Sequence, residues 1–133
     1  TGNVIWEVNT KEKIVALTFD DGPHPVFTPQ ILDLLAKYKA KATFFAAGNK
    51  VERFPDVLKR VSKEGHEIAN HTYSHIYSSR IPAKKLADEL QKTDLIIKTV
   101  TGQQPTLYHR QSCPPRRNRG IHCRRSGYFR HPL

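Results

Sequence analysis

Residues 14–23 read IVALTFDDGP, and this stretch decides the fold. Its first six residues are mostly apolar or β-branched, which predicts a buried strand over residues 14–19. Asp20 and Asp21 follow immediately, ahead of a Gly-Pro pair. Taken alone, Asp-Asp-Gly is a common turn sequence. Behind a buried strand it predicts a site at the strand's carboxyl end, where α/β folds bind their ligands.

A second polar motif, His-Thr-Tyr-Ser-His at residues 71–75, follows about fifty residues later. On a helical turn the spacing of His71 and His75 places both rings on one face, close enough to share a metal ion. A histidine pair with this spacing and no other signal is more often a solvated surface feature. Successive side chains of a strand point to opposite faces, so one aspartate could bind the ion while the other accepts a proton.

The rest of the chain alternates between short strands and helices, which predicts parallel βα units and an α/β fold. Further strands are predicted at residues 4–8, 42–47, 67–70 and 106–108. Helices are predicted to begin at Thr28-Pro29, at Pro55 and at Pro82, and the last two to end at Gly65 and Gly102. On the first helix the residues predicted to face the core are Ile31, Leu32, Leu35 and Tyr38.

The two polar motifs together resemble those of the polysaccharide deacetylases of the NodB-homology type, carbohydrate esterase family 4. The resemblance extends over about residues 4 to 108 and includes the Ala-Thr-Phe-Phe sequence at residues 42–45. It implies a partial, distorted (β/α) barrel of the NodB-homology, glycoside hydrolase/deacetylase type. A closed (β/α)₈ barrel needs about 200 residues or more, so this chain of 133 residues is expected to leave an open sheet edge and to be marginally stable or poorly soluble.

The resemblance also implies a function and a set of site residues. The function is that of a metal-dependent hydrolase which removes N-acetyl groups from N-acetylglucosamine-containing polysaccharide of the peptidoglycan or chitin type. Asp20 would be the catalytic base, and the metal ligands would be Asp21, His71 and His75. The expected ion is Zn²⁺ or Co²⁺.

Two further residues of the motifs have weaker assignments. By the same resemblance Thr72 would support the histidine loop. His24 follows the Gly-Pro pair and either lines the substrate groove or is a solvated loop residue. Members of this family are commonly exported, which implies a secreted or cell-surface location, although the sequence has no signal peptide and no membrane-spanning run. The folded chain is expected to be monomeric.

After residue 108 the sequence departs from the family pattern. The third motif, an Arg-Pro-Pro-Gly-like sequence, is replaced by a stretch beginning with His109 and Arg110. Arg110 could stand in for the arginine of that motif. The fourth motif and the late-strand Leu-x-His that supplies the general acid are expected to be absent. Loss of a general acid costs about 10²- to 10⁴-fold in rate, so the alternative function is a catalytically impaired metal- or glycan-binding remnant.

Charge marks the same boundary. The chain has 22 Lys and Arg against 12 Asp and Glu, a net charge of +10. Residues 109–133 contain seven Arg and no acidic residue, so this tail carries +7 and residues 1–108 carry +3. We therefore predict that residues 1–108 are the N-terminal part of a deacetylase domain. Residues 109–133 are predicted to be an aberrant or disordered basic tail rich in Arg, Pro and Cys.

Four interpretations of the tail stay open. It could be a disordered extension attracted to polyanions, a loop closed by a disulfide, or a zinc knuckle. The residues available for a knuckle are Cys113, His122, Cys123 and His131, but their spacing fits no common finger pattern. We favour an out-of-frame translation of the family's own continuation, because Arg, Pro, Cys and His without acids are typical of GC-rich codons read in the wrong register.

Other function classes fit less well. A specific nucleic-acid binder is disfavoured, because residues 1–108 show neither a basic helix nor interleaved aromatic residues. A His-Glu-x-x-His metalloprotease is excluded, because Thr72 occupies the position of the glutamate. A non-haem iron oxygenase also uses two histidines and a carboxylate, but its His-x-Asp arrangement is missing here.

Overall fold

The computed structural model describes residues 4–5, 9–76, 81–109 and 128–130. The strands are β1 (Val4–Ile5), β2 (Thr18–Gly22), β3 (Thr43–Ala46), β4 (Glu67–Asn70), β5 (Leu107–His109) and β6 (Tyr128–Arg130). The helices are α1 (Phe27–Lys37), α2 (Gly48–Arg53), α3 (Pro55–Lys63) and α4 (Ala83–Thr101). Within these ranges no helix is both long and apolar enough to cross a membrane.

The strands form one sheet in the order β1-β6-β5-β4-β3-β2. Neighbouring strands from β2 to β5 are parallel, whereas β6 pairs antiparallel with both β1 and β5. The predicted α/β fold with parallel βα units is therefore confirmed. β6 comes from the tail, and the remainder of the tail beyond His109 lies outside the described residues, as do residues 6–8 of the first predicted strand.

The strand predicted over residues 14–19 is only partly correct. β2 begins at Thr18 and continues through both aspartates to Gly22. Ile14 and Val15 lie outside it and are 63% and 85% exposed. Thr18 pairs with Thr43, the first residue of β3, so residues 14–17 extend past the end of the neighbouring strand. β2 is also the edge of the described sheet, and the preceding apolar residues are therefore left uncovered.

The register of β2 shifts at the two aspartates. Phe19 lies opposite Phe44, but Gly22 lies opposite Ala46, so two residues of β2 face a single residue of β3. Asp21 has a φ of 63°, in the left-handed region. Such a bulge kinks a strand and redirects its side chains. It determines where each carboxylate points.

The helices confirm most of the predicted boundaries. α3 begins at Pro55, and α4 ends at Gly102, whose φ of 75° suits a helix C-terminus. The inward orientation predicted for Tyr38 is wrong: α1 ends one residue earlier and Tyr38 is 71% exposed. The chain turns away there, at Lys39, which has a φ of 52°. α2 was not predicted from the sequence.

The core lies between these helices and one face of the sheet. Its buried members from helices include Leu32, Leu58, Val61 and Ile97, and those from strands include Phe44 and Ile68. Burial of one such side chain stabilises the fold by about 1.5–3 kcal/mol. The core thus fixes the β3–β4 pair from which the polar motifs project.

Candidate active site

The polar motifs meet at the carboxyl edge of the parallel strands. Asp20 and Asp21 lie near the end of β2, His71 directly follows β4, and His109 is the last residue of β5. Because β2 to β5 run in one direction, their carboxyl ends share one edge of the sheet. This is the edge where open α/β sheets bind ligands.

Asp21 lies against both histidines of the second motif. Its Oδ1 is 3.1 Å from His71 Nε2 and 2.7 Å from His75 Nε2. Despite this proximity, His75 Nε2 makes no hydrogen bond of acceptable geometry with any described residue. The ligands of a tetrahedral zinc site, bound at about 2.0–2.2 Å, lie about 3.3–3.6 Å from one another. Three converging donor atoms, one of which has no hydrogen-bond partner among the described residues, therefore fit a divalent ion shared between them.

A second trio, Asp20, His71 and His109, also brings its donor atoms within 4.8 Å of one another. It fits an ion less well. The rings of His71 and His109 are stacked nearly parallel, at 9°, with centroids 5.0 Å apart, so their in-plane lone pairs do not converge. The rings of His71 and His75 are tilted by 52°. Asp21, His71 and His75 are the better ligand set.

Asp20 points to a different partner. Its Oδ2 lies 3.0 Å from His109 Nδ1. Burial by itself raises the pKa of Asp20, but the close contact with His109 and the charge of that imidazole outweigh it, with smaller contributions from the other two imidazoles of the site, and the net pKa is lowered. Asp20 is therefore held in the ionised form that a proton acceptor needs.

His71 is oriented by the backbone of β5. Its Nδ1 donates a hydrogen bond to the carbonyl oxygen of His109 over 3.1 Å, which leaves the lone pair of Nε2 directed toward Asp21. Burial lowers the pKa of His71, and this effect exceeds the opposing attraction of Asp20. The ring is thus kept neutral, with one nitrogen fixed and the other available, as a metal-binding histidine requires.

The two motif histidines do not lie on a helical turn, and that part of the prediction is wrong. Residues 71–76 form a loop in which Thr72 and His75 have φ values of 65° and 56°. The Asn70 side chain stabilises the start of this loop, because its Oδ1 accepts a hydrogen bond from the Thr72 N–H over 2.8 Å. Thr72 is buried, and its Oγ1 has no hydrogen-bond partner among the described residues.

His109 is the site residue that the sequence analysis missed. It was assigned to the tail because the composition changes there. Leu107-Tyr108-His109 has the Leu-x-His spacing, which had been overlooked at this position. It lies on the fourth parallel strand, β5, and not on a late one. Arg110, the other candidate from this stretch, lies outside the described residues.

His24 supports the loop that leaves β2. Its Nδ1 accepts hydrogen bonds from the N–H groups of Val26 and Phe27, both over 3.2 Å, and its ring stacks on Phe27. These bonds satisfy amide groups at the start of α1, where Thr28-Pro29 was expected to form the cap. A contact between His24 and substrate stays a prediction.

Known proteins resemble this chain over much of its length. Residues 7–118 match the family model of the polysaccharide deacetylases. A peptidoglycan-N-acetylglucosamine deacetylase of Bacillus cereus is 57% identical over 90 residues, which are 68% of this chain and 42% of that relative.

Two solved structures share the fold. Peptidoglycan deacetylase PdaC from Bacillus subtilis superposes with a TM-score of 0.74 at 42% identity, over 81% of this chain and 55% of that one. A family 4 acetyl xylan esterase from Clostridium thermocellum, in complex with a cobalt ion, gives 0.67 at 35% identity, over 70% and 46%. This chain therefore covers about half of each structure. The shared fold confirms the predicted partial, distorted barrel.

Proposed function

The chain belongs to the polysaccharide deacetylase family, and from this premise we propose that its site removes N-acetyl groups from N-acetylglucosamine-containing polysaccharide of the peptidoglycan or chitin type. One observation carries the proposal. A single carboxylate oxygen of Asp21 lies within 3.1 Å of ring nitrogens from both His71 and His75, with a second carboxylate, Asp20, beside it but directed elsewhere. Metal-assisted amide hydrolysis needs this division between ligand and base.

In this proposal Asp21, His71 and His75 hold a divalent ion, with Zn²⁺ or Co²⁺ preferred. Two imidazoles and one carboxylate suit either ion and leave room for water and substrate. When bound, the ion supplies Lewis acidity, which makes water a stronger acid and polarises an amide carbonyl. The relative with bound cobalt supports this choice of ion.

Asp20 acts as the base. It accepts a proton from the water whose oxygen bonds to the acyl carbon; the carbon–nitrogen bond then breaks, and acetate and an amine are released. That amine must gain a proton as it leaves. His109 lies 3.0 Å from Asp20 and is the imidazole that this chain offers for the step. It therefore holds the base and is the candidate proton donor.

The alternative is a metal- or glycan-binding remnant with little turnover. One observation favours it: the Leu-x-His sequence of this chain lies on an earlier strand than the family's. Acetate release from N-acetylglucosamine oligomers, with and without Zn²⁺ or Co²⁺, tests both functions. Metal-dependent release that is lost in Asp20→Asn supports the deacetylase, whereas metal or glycan binding without release supports the remnant.

Other features of the chain complete the proposal. A secreted or cell-surface location suits a substrate in the cell wall, and the name of the Bacillus cereus relative supports this setting. The division at residue 108, the aberrant origin of the tail and the monomeric state stay predictions. Residues 113–123, which contain both cysteines, lie outside the described residues.

A further inference from the structure

We infer that Glu89 on α4 is a positioning residue for the histidine loop, residues 71–75, and that its carboxylate sets the separation of His71 and His75. The inference rests on the proposed metal site and extends it to a residue that neither polar motif contains. The structure places its carboxylate against the loop between the two ligand histidines.

Glu89 satisfies the hydrogen-bond donors of this loop. Its Oε2 accepts hydrogen bonds from the backbone N–H of Tyr73 over 3.0 Å and of Ser74 over 2.7 Å. The Ser74 hydroxyl also donates to the same carboxylate, 3.0 Å from each oxygen. Hydrogen bonds to an ionised carboxylate are about twice as strong as neutral ones. One side chain thus fixes two consecutive peptide groups.

The acceptors of the loop are satisfied by a second element of the fold, α2. Gly48 and Asn49, at the start of α2, donate their N–H groups to the carbonyl oxygens of Thr72 and Tyr73, each over 3.0 Å. The fit is close: a Cβ on Gly48 would lie 2.7 Å from the Tyr73 ring. The loop is therefore held between the first residues of α2 and the carboxylate on α4.

Such a clamp is needed because the loop backbone is unfavourable. Thr72 and His75 both have positive φ, a region that residues with a Cβ rarely adopt. Unfavourable conformations of this kind persist only where the surroundings hold them. Without the bonds to Glu89 the loop can relax, and His75, which follows Ser74 directly, is then free to move away from Asp21. His71 stays in place through its bond to the His109 carbonyl.

Asp88 provides a matched control. It is the adjacent residue on α4, is also acidic, and has an exposed side chain. Asp88→Asn and Glu89→Gln therefore remove the same charge from neighbouring positions of one helix. Only the second changes a group bonded to the loop.

The test measures Co²⁺ binding to the full chain by competition with a chromophoric chelator, together with the visible spectrum of the bound ion. We expect Glu89→Ala to weaken binding by about 10- to 100-fold, the usual effect of losing a group that orients metal ligands, and to alter the spectrum. Glu89→Gln retains one acceptor oxygen and should recover part of the affinity. Asp88→Asn should bind as the wild type does.

Wild-type affinity and an unchanged spectrum in Glu89→Ala would overturn the positioning role while leaving the metal site intact. A wild-type chain that binds no Co²⁺ would overturn the metal site of the proposed function, and the positioning role with it. If Glu89→Ala fails to fold by circular dichroism, Glu89→Gln decides the question, since affinity equal to that of Asp88→Asn contradicts the inference.

Discussion

The imidazole of His109 lies 3.0 Å from the carboxylate of Asp20 and covers the side of the base that faces β5. This contact and the charge of His109 are the largest of the effects that lower the pKa of Asp20. We expect His109→Ala to raise the pKa of Asp20, because burial then acts with less opposition. Asp20 should therefore stay protonated to a higher pH, and activity should be lost earlier on acidification.

Carbon-13 NMR titration of the aspartate carboxyl groups without metal measures this shift directly, and the pH profile of acetate release measures its consequence. His109→Asn, which retains a hydrogen-bond donor, is the control and should shift the pKa less. An Asp20 titration that is the same in His109→Ala and the wild type would contradict the prediction.

The two adjacent aspartates should respond differently to the same isosteric change. Asp21→Asn removes a proposed ligand and should weaken Zn²⁺ or Co²⁺ binding by at least about 100-fold, and acetate release should fall with it. Asp20→Asn should retain metal binding but reduce acetate release by about 10²- to 10⁴-fold, the usual contribution of a general base. Calorimetric metal titration and an acetate assay on both variants distinguish the roles; equal loss of metal in both would refute the assignment.

His66 should make the fold sensitive to acid. The residue is buried at the opposite end of the sheet, where its Nδ1 accepts a hydrogen bond from the Ala42 N–H. Burial, followed by the charge of Lys41, lowers the pKa of His66, and Glu64 opposes this only in part.

Since the folded pKa lies below the unfolded value of about 6.5, the unfolded state binds more protons as the pH falls. Stability should be full above pH 6.5 and should decrease below it, down to the folded pKa. Urea denaturation at several pH values measures this slope. His66→Asn keeps an acceptor near the position of Nδ1 without the titrating group and should show a shallower slope; an identical slope would rule out the contribution of His66.

Gly48 should not tolerate a side chain. An added Cβ would lie 2.7 Å from both the Tyr73 ring and Thr93 Oγ1. We expect Gly48→Ala to reduce the free energy of unfolding by about 1–3 kcal/mol, the usual cost of overpacking, as measured by urea denaturation. Gly22→Ala is the control, because its Cβ would meet no atom nearer than Thr28 Oγ1 at 3.8 Å. Equal stability of Gly48→Ala and the wild type would show that α2 and the loop can separate without cost.

The uncovered apolar residues ahead of β2 should limit solubility. Ile14 and Val15 project from the edge of the described sheet and are mostly exposed. Exposed apolar sheet edges promote association, so Val15→Lys should raise the concentration at which the chain stays monomeric without lowering its melting temperature. Light scattering at increasing concentration tests this, with Lys13→Arg as a control. A large drop in melting temperature would mean that Val15 is covered in solution.

Local sequence was sufficient for most elements of the fold. β4 coincides with its predicted range, and α3 and α4 begin within one residue of Pro55 and Pro82, since prolines and glycines act through the local backbone. The boundaries of β2, in contrast, are set by its pairing with the neighbouring strand β3. Ile14 would be buried only if β3 were long enough to pair with it. The length of β3 cannot be predicted from the sequence of β2.

The site shows the same limit. The motifs correctly predicted that Asp21, His71 and His75 would lie together, although the loop that joins the histidines is not helical. His109 was missed because its role comes from strand order: β5 lies beside β4 and brings its last residue to Asp20. Glu89 lies outside both motifs and contacts the second one only once α4 has packed against it.

The bulge in β2 makes the number of residues in this strand as important as their chemistry. Deleting one residue between Phe19 and Gly22 would restore regular pairing with β3 and leave a single aspartate in place of two. That carboxylate would have to serve either the histidine pair or His109, since the two lie in different directions. Two roles therefore depend on one inserted residue, and a shorter strand with the same fold would lose one of them.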